Sequence, residues 1–569
     1  MTRRTTNQRV VALYAGFLVV MGILWVRCVW LQMIQGAWLA RLARAQHHAA
    51  QAIPGPRGTI YDRTGAVLAM SVPVPSVFAD PRRVAAKSDV ATQVAKLVGR
   101  DPGFIRRRLE RDRGFVWLAR QVDPALRPQL RPLFREGIGV REEPKRVYPH
   151  GTMTAHVLGH VDIDERGLEG MELAFNGALQ GRPGWRATLR DAKGDLLIGP
   201  WTRDVEPAAG FDLVLTIDSV VQGVAEEALA WGVKRFHAKG GSLIILEPHT
   251  GAILALANQP GVDPNHPGRA SAEARRNRAV TDLMEPGSVF KIVTAAALLE
   301  EGVARPDEQI FCEQANYPTV GRHVLHDHRP HGWLTFADVI TLSSNIGTAK
   351  FAQRLPPATL YRYIRAFGFG RKTGVELPGE VSGIVAPPSR WSKLSPFIIP
   401  IGQEIAVTPL QLAVMTAIVA NGGWKIQPHL IERIQTQDGA VIRTDQRSTR
   451  EHLLSPNTVE QLHRMLSQVV ESGTGRLASI QGLTVAGKTG TAQKLEPDGR
   501  YSHSRYVASF VGYGPVPDSR FAMVVTVDEP RPVYFGGVVA APIFRRVVEQ
   551  LMGYWNLTPA GSAGLMAAL

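Results

Sequence analysis

One lysine, Lys291, is the only charged residue between Glu285 and Glu300, in a run reading Ser288-Val-Phe-Lys291-Ile-Val-Thr-Ala-Ala-Ala-Leu-Leu-Glu300-Glu-Gly302. Pro286-Gly287 precede the run and Gly302 closes it, a pattern that predicts a helix beginning near Ser288. Apolar residues fall on every face of that helix, so it belongs in a protein interior and takes the lysine with it. Desolvation lowers the pKa of an enclosed ammonium and makes the neutral amine, a base, accessible. Ser288 lies three residues earlier on the same helical face, within side-chain reach. A serine beside a buried lysine is the minimal activated nucleophile. The competing reading is a lysine that snorkels from a partly exposed helix. A bare S-x-x-K also arises by chance roughly once or twice in a chain of this length.

Two further segments separate these readings. Ser343-Ser344-Asn345 follows Leu334-Thr-Phe-Ala-Asp-Val-Ile-Thr-Leu, and Lys488-Thr489-Gly490-Thr491 follows Leu483-Thr-Val-Ala-Gly. S-x-x-K, S-x-N and K-T-G in this order form the signature of penicillin-binding proteins and serine β-lactamases. The intervals, from 288 to 343 and from 343 to 488, suit three separate elements converging on one cleft. In an extended segment Ser343 and Asn345 point the same way; the alternative for that tripeptide is a helix cap. Lys488-Thr-Gly-Thr491 follows strand-forming residues and is expected on a strand edge, with Gly490 leaving room for substrate against the backbone. Lys488 and the threonine hydroxyls can hold a carboxylate.

Other segments resemble class B penicillin-binding proteins specifically. They are Arg276-Asn-Arg-Ala-Val-Thr-Asp-Leu-Met-Glu-Pro-Gly-Ser288, Leu243-Ile-Ile-Leu-Glu-Pro-His-Thr-Gly-Ala-Ile-Leu-Ala-Leu-Ala257 and Val407-Thr-Pro-Leu-Gln-Leu-Ala413. Pro56-Arg-Gly-Thr-Ile-Tyr-Asp62-Arg63 and Gly167-Leu-Glu-Gly-Met-Glu172 resemble the pedestal motifs of the same class. The likeness runs from about Ala49 to about Val548, and within the class it is strongest to the division-specific, monofunctional peptidoglycan D,D-transpeptidases.

That resemblance implies an α+β architecture. A mixed α/β pedestal of the dimerisation type precedes a transpeptidase domain, an antiparallel sheet flanked by helices with the site between sheet and helical lobe. Ser288 is then the nucleophile and Lys291 its base. Ser343 shuttles protons, Asn345 bonds the substrate amide, and Lys488, Thr489, Gly490 and Thr491 bind substrate. Backbone N–H groups of Ser288 and Thr491 form the oxyanion hole. The implied partners are peptidoglycan stem peptides on lipid-linked precursor strands, a SEDS-family glycan polymerase and other division proteins, with β-lactams as inhibitors. No metal or cofactor is implied.

Composition sets the remaining bounds. At 569 residues the chain is expected to hold two or three domains. Its charge of +15 comes without a nucleic-acid reading module, so a basic surface against anionic lipid or acidic wall polymer is the expectation. Cys28 and Cys312 make no disulfide framework. Val10 to Val26 is uncharged and mostly apolar, and Cys28-Val-Trp-Leu31 extends it past Arg27. Roughly 20 such residues cross a bilayer core. A cleaved signal peptide competes, but Ala43-Arg-Ala45 lies too far beyond the run to be its cleavage site. Arg3, Arg4 and Arg9 before the span are nearly balanced by Arg27, Arg41 and Arg44. The short basic tail and the wall chemistry place the N-terminus in the cytoplasm and the rest in the periplasm of a bacterial inner membrane.

The expected divisions are a tail over 1–9, a membrane helix over 10–31, a stalk and pedestal over 32–206, the transpeptidase domain over 207–555 and a loose tail over 556–569. The stalk reads as helical from Gln32 to Ala52. Ser76-Val-Phe-Ala79 reads as a strand and Val90 to Gly99 as a helix, and Leu213 to Asp218 is expected to open the catalytic domain. Thr408-Pro409-Leu410-Gln411 carries a capping box, and Asn421-Gly422-Gly423 ends that helix. Phe521 to Val527 reads as a buried strand, with a final helix from about Pro542.

Two motifs invite other chemistry. Gly482-Leu-Thr-Val-Ala-Gly487-Lys488-Thr489 formally matches a phosphate-binding P-loop, but its interior is strand-forming and Gly490 opposes the helix that must follow. His323, His326, His328 and His331 cluster without the spacing of a metal site and read as a polar loop near the cleft. Three alternatives stay open: a serine β-lactamase using Glu376 or Glu380 for deacylation, the elongation-specific class B enzyme, and a non-enzymatic β-lactam sensor or division scaffold. Glu376-Leu-Pro-Gly-Glu380 itself resembles a structural turn of the class B family.

Overall fold

The apolar N-terminal run forms helix α1 (Thr2–Val29), continued by a short π-helical turn over Trp30–Ile34. Residues Asn7–Ile34 form a stretch long and apolar enough to cross a membrane. At 1.5 Å per residue it spans about 42 Å, more than the hydrocarbon core requires. This is a single-pass anchor in length and composition. The computed structural model describes residues 2–39, 48–190, 196–197, 203–444, 451–496 and 498–557. The Arg41–Arg44 part of the stalk and the tail from Pro559 to Leu569 lie outside the described residues.

The chain divides into two units, Met1–Pro56 with Gly181–Gly210, and Arg57–Gln180 with Phe211–Leu569. The first holds α1 and a small sheet in which His48–Ile53 pairs antiparallel with Gly184–Arg190. The stalk is therefore not helical to Ala52. Its last residues join a strand from more than 130 positions away, a pairing that local propensity does not encode.

In the second unit a seven-stranded sheet carries the pedestal. The order is 441–444, 431–435, 212–215, 60–61, 67–79 and 116–119, with 138–147 also paired to 67–79. The strand Val67–Ala79 contains the expected Ser76–Ala79. The helix Lys87–Val98 ends at Gly99 in the left-handed region, φ 64°. The segment expected to open the catalytic domain behaves differently. Asp212–Leu215 lies between Ile60–Tyr61, which it meets in parallel, and Ile431–Gln435, which it meets antiparallel. All four residues are buried, so the strand needs neighbours on both edges and cover on both faces; an apolar run states that need without naming the sheet.

The two pedestal motifs meet at one buried carboxylate. Arg57 donates to Glu172 Oε2 from Nη2 at 2.6 Å, and Arg146 donates to Oε1 from Nε at 2.6 Å. All three side chains are essentially excluded from solvent. Such a cluster persists only if every charge is paired and hydrogen-bonded, which ties residues more than 100 positions apart in sequence into one core.

Helix α2 (Ser219–Arg235) leads into the central sheet. Its strands are β1 (Gly240–Leu246) and β2 (Ile253–Gln259). Between these and the remaining strands come helices α3 (Lys291–Glu300), α4 (Asn345–Ala352), α5 (Pro409–Ala420) and α6 (Pro456–Glu471). Strands β3 (Ala486–Leu495), β4 (Tyr501–Gly514) and β5 (Phe521–Asp528) follow, and helix α7 (Ala541–Leu551) closes the domain. The strand order is β2-β1-β5-β4-β3, antiparallel throughout, with β3 at the edge.

Alternation within the strands assigns the two faces. Leu243, Ile245, Met523 and Val525 pack with α2 and α7. Ile244, Leu246, Ala522 and Val524 pack with α3, α5 and α6. Helix α5 starts at Thr408 with the expected capping box to Gln411 and Pro409 at its first position. It is buried along its whole length, which fits its lack of an apolar–polar division. Helix α3 likewise buries nine of its ten residues, Lys291 among them.

Candidate active site

Ser288 occupies a single 3-10 turn, Gly287–Phe290, that runs directly into α3. Val289 and Phe290 are buried and Ser288 is half-buried, so the turn anchors its apolar residues and leaves the hydroxyl accessible. Gly287 has φ 53°, which a side chain resists, and Gly402 packs against it closely enough that a Cβ there would lie 2.2 Å from Gly287 O. The backbone N–H of Gly287 donates to Gly402 O at 3.1 Å.

Lys291, one turn on, is fully buried. Its Nζ donates to Ser343 O at 2.6 Å, to Asn345 Oδ1 at 2.8 Å and, more loosely, to Ser343 Oγ at 3.3 Å. Burial pushes its pKa down to about 7, against the opposing field of the Asp327 carboxylate. The expectation of a desolvated lysine is met. Its hydrogen bonds run to the second motif, and among the described residues none joins it to Ser288.

The second motif is not extended. Ser343 has φ 62°, a strained conformation for a residue with a side chain, and Ser344 caps α4 by accepting from Gly347 N. Asn345 is the first residue of that helix. The turn and the cap therefore coexist: Ser344 does the capping, and this sets Ser343 and Asn345 on either side of it, facing Lys291. Asn345 Nδ2 donates to His326 O at 2.9 Å, which fixes the amide with its oxygen toward the lysine.

The third motif lies on the edge strand β3, as expected. Lys488 is fully buried, and its Nζ donates to Ser343 Oγ at 2.8 Å and to Thr489 O at 3.2 Å. Burial, reinforced by the charge of Lys291, holds its pKa well below that of an ordinary lysine. Lys488 is thus turned inward, onto the second motif, and the accessible hydroxyl of the strand is the half-buried Thr491. Thr489 Oγ1 pairs with Thr474 Oγ1 at 2.8 Å. Gly490 serves a different purpose from the one read in the sequence. A Cβ there would lie 2.3 Å from Ser509 Oγ and 2.7 Å from Val289 Cγ2, so the glycine lets the edge strand close on the nucleophile's own turn.

One contributor escaped the sequence reading. Asp327 accepts from Ser344 Oγ, from Asn345 N and, at 3.1 Å, from Ile346 N. A carboxylate at a helix N-terminus is stabilised by the unpaired N–H groups there, and this one holds the whole second motif in place. The signal was an aspartate between His326 and His328, in a stretch read for its histidines. That stretch forms the hairpin Asn316–Pro318 with Val324–His326, close to the site as expected. His323 bonds Thr319, His326 bonds Asn316, and the His328 ring packs on Phe535.

Glu376 accepts from Leu430 N at 2.9 Å, and Glu380 accepts from Thr373 N and Oγ1, both at 2.6 Å. These are turn-holding roles, in line with the structural-turn reading. The P-loop reading fails on geometry, because Lys488-Thr489-Gly490 continue a strand where a helix would have to begin.

Comparison with known proteins agrees with this arrangement. The penicillin-binding protein transpeptidase domain matches residues 241–549, and the penicillin-binding protein dimerisation domain matches residues 52–215. The probable peptidoglycan D,D-transpeptidase PenA of Neisseria gonorrhoeae is 33% identical over 564 residues, covering 98% of this chain and 94% of the relative. The peptidoglycan D,D-transpeptidase FtsI of Escherichia coli K12 is 33% identical over 542 residues, covering 94% and 89%. Among solved structures, penicillin-binding protein 3 of Mycobacterium tuberculosis in complex with ampicillin superposes with a TM-score of 0.70 at 28% identity, covering 90% of this chain and 98% of that one. With its pedestal, its five-stranded sheet and three motifs converging at the edge strand, the chain belongs to the class B penicillin-binding proteins.

Proposed function

We propose that this class B enzyme is a D,D-transpeptidase that cross-links peptidoglycan stem peptides at the division septum, with Ser288 as the acylated residue. The observation that carries the reading is the convergence of Lys291, Ser343, Asn345 and Lys488 on one hydrogen-bonded knot beside the Ser288 turn. Similarity along nearly the full length to FtsI and PenA supports the choice of substrate and of septal synthesis.

Ser288 Oγ attacks the carbonyl of the penultimate D-alanine and passes its proton to Lys291. As a neutral amine Lys291 keeps two N–H groups for its short bonds to Ser343 O and Asn345 Oδ1, which leaves its lone pair free for that proton. Protonated Lys291 then acts as the donor. The terminal D-alanine leaves with a proton delivered through Ser343, whose hydroxyl bridges the two lysines. Backbone N–H groups of Ser288 and Thr491 receive the oxyanion. An amine of a neighbouring strand attacks the acyl carbonyl and loses a proton to the same lysine; the ester bond to Ser288 Oγ breaks, the serine takes that proton back, and the cross-link is complete. Asn345 orients the donor peptide, and Thr491 receives its carboxylate, with Thr489 behind it and Lys488 supplying positive potential.

The N-terminus lies in the cytoplasm, with the catalytic domain in the periplasm, where its substrate is. A SEDS-family polymerase supplies the glycan strand. Two measurements test the reading. Benzylpenicillin should leave one covalent adduct on the peptide containing Ser288, absent in Ser288→Ala. A fluorescent fusion should mark the septum, and depletion should give filaments; sidewall signal with rounded cells would assign the enzyme to elongation.

A further inference from the structure

The residue three before the nucleophile, Glu285, takes no part in the chemistry above, yet it carries an unusual set of bonds. Its Oε1 accepts from the backbone N–H of Glu404 at 2.9 Å and from the Tyr501 hydroxyl at 2.9 Å. Glu404 has φ 57°, and its own carboxylate accepts from Ser395 Oγ, so the loop it belongs to is braced from both sides. Tyr501 is the first residue of β4, at the turn end of the β3–β4 hairpin, where it lies opposite Leu495. One carboxylate oxygen therefore joins three chain segments: the nucleophile turn, the 402–407 loop and the end of the substrate-binding strand pair.

The backbone repeats the same joint. Met284 and Val407 exchange both hydrogen bonds at 3.0 and 2.9 Å, and Gly287 donates to Gly402. Residues 284 to 287 are thus zipped along 402 to 407, and among the described residues Glu285 is the side chain of that zip that also hydrogen-bonds a strand of the sheet.

Packing beside this joint is incomplete. A cavity of about 550 Å³ lies against the residues leading into the turn, lined by Leu283, Met284 and Glu285 on one side and by Ala492, Lys494 and Leu495 of the edge strand on the other. Close-packed interiors hold side chains in place through contact on all sides. Here contact is missing beside residues 283 to 285, just ahead of the turn, and hydrogen bonds carry the constraint there.

We propose that Glu285 is a positioning residue for acylation: it clamps the Ser288 turn to the 402–407 loop and to the β3–β4 hairpin, and so sets the nucleophile against the edge strand. Glu285 touches neither substrate nor Ser288 and acts through the backbone between them. Burial raises its pKa to about 7, and the nearby Glu404 charge adds to this. The clamp does not depend on that titration, because either protonation state keeps an acceptor oxygen for both donors.

The inference rests on Ser288 being the acylated residue, and the test keeps the two apart. Acylation of the detergent-solubilised full chain by a fluorescent penicillin is followed by stopped flow and resolved into the binding constant Ks and the acylation constant k2. Glu285→Ala should lower k2 by about tenfold to hundredfold, the cost of a misplaced reacting group, with Ks changed by less than about threefold. Glu285→Gln keeps the carbonyl oxygen at the accepting position and should hold k2 within about threefold of the unaltered chain. Tyr501→Phe should lower k2 to a smaller extent, and should add nothing in the Glu285→Ala background. Thermal unfolding of each variant tells a misplaced turn from a general loss of fold. An unchanged k2 in Glu285→Ala, a loss confined to Ks, or a Glu285→Gln variant that folds but acylates no better than the alanine would each overturn the clamp. A chain that takes no adduct at Ser288 would overturn the nucleophile assignment instead.

Discussion

Lys488 Nζ donates to Ser343 Oγ at 2.8 Å, and both atoms are more than 140 positions apart in sequence. The same hydroxyl lies 3.3 Å from Lys291 Nζ. A neutral oxygen between two buried amines can pass a proton from one to the other, and the two amines cannot both hold a full charge cheaply at that separation. Ser343→Ala removes the bridge and leaves Lys291 its backbone bond to residue 343. Acylation should fall by about 10²- to 10⁴-fold, the usual worth of a positioned proton-transfer group. The rate of adduct formation by a fluorescent penicillin measures it, and a rate near that of the unaltered chain would remove Ser343 from the proton path.

Lys291 gives a sign as well as a size. Its base form is the active one and its pKa is lowered to about 7, so acylation should rise with pH through that value and level off above it. Lys291→Arg keeps the charge but cannot release a proton in this range, so it should abolish acylation at every pH tested. Stability moves with the same titration. The folded pKa lies below the unfolded one, so the unfolded chain binds more protons between about 7 and 10.4. The burial cost is therefore fully present below pH 7 and is relieved as pH rises through that window. Lys291→Met should stabilise the fold more at pH 6 than at pH 9, by on the order of 2 kcal/mol, read as the difference between the two thermal shifts.

The pedestal has its own weak point. Glu172 is the shared acceptor for Arg57 and Arg146, all three buried. Glu172→Ala leaves two guanidinium groups without their counter-charge and should cost about 3–5 kcal/mol. Denaturant unfolding should show this as an early loss of the pedestal, while molecules that stay folded still take up penicillin. Full stability in that variant would mean the cluster contributes nothing net.

What could be read from the chain beforehand follows a physical division. Local signals held: the burial of α3, the capping box at Thr408, the edge-strand position of Lys488 and the buried β5 all depend on a few adjacent residues. Choices among distant partners did not. The segment Leu213 to Asp218 contributes a strand only to Leu215, and its neighbours come from residues 60–61 and 431–435; no local pattern distinguishes one buried sheet from another. The Ser343–Asn345 tripeptide is compatible with an extended segment or with a helix cap; the left-handed turn at Ser343 accompanies the cap at Ser344 and the Asp327 carboxylate, which arrives from a different loop. Lys488 was read as a grip on substrate because the residue type allows it. Its burial against Ser343 depends on how three elements close.

Gly490 offers a test of that closure. Its Cβ position is occupied by Ser509 Oγ and Val289 Cγ2, one on the neighbouring strand and one on the nucleophile turn. Gly490→Ala should force the edge strand and the turn apart, with an overpacking cost of about 1–3 kcal/mol and a fall in acylation. Ser509→Ala in the same chain removes the nearer obstacle and should restore part of the stability. If it restores none, the strain lies against the nucleophile turn, at Val289 Cγ2 and Pro286 O.

The fate of the acyl-enzyme separates this chain from a β-lactamase. Hydrolysis of a serine ester at a working rate needs a carboxylate or equivalent base that holds a water against the acyl carbon. The acidic residues considered for that task are committed elsewhere: Glu376 to Leu430 N, and Glu380 to the backbone and hydroxyl of Thr373. Asp327 caps α4, and Glu285 accepts from Glu404 N and the Tyr501 hydroxyl. The penicilloyl adduct should therefore persist. After unbound penicillin is removed, intact mass followed over hours should show the adduct decaying far more slowly than it forms. Turnover of benzylpenicillin at roughly 1–1000 per second, the range of working enzymes, would show that a base had been overlooked and would reassign the chain to β-lactam hydrolysis.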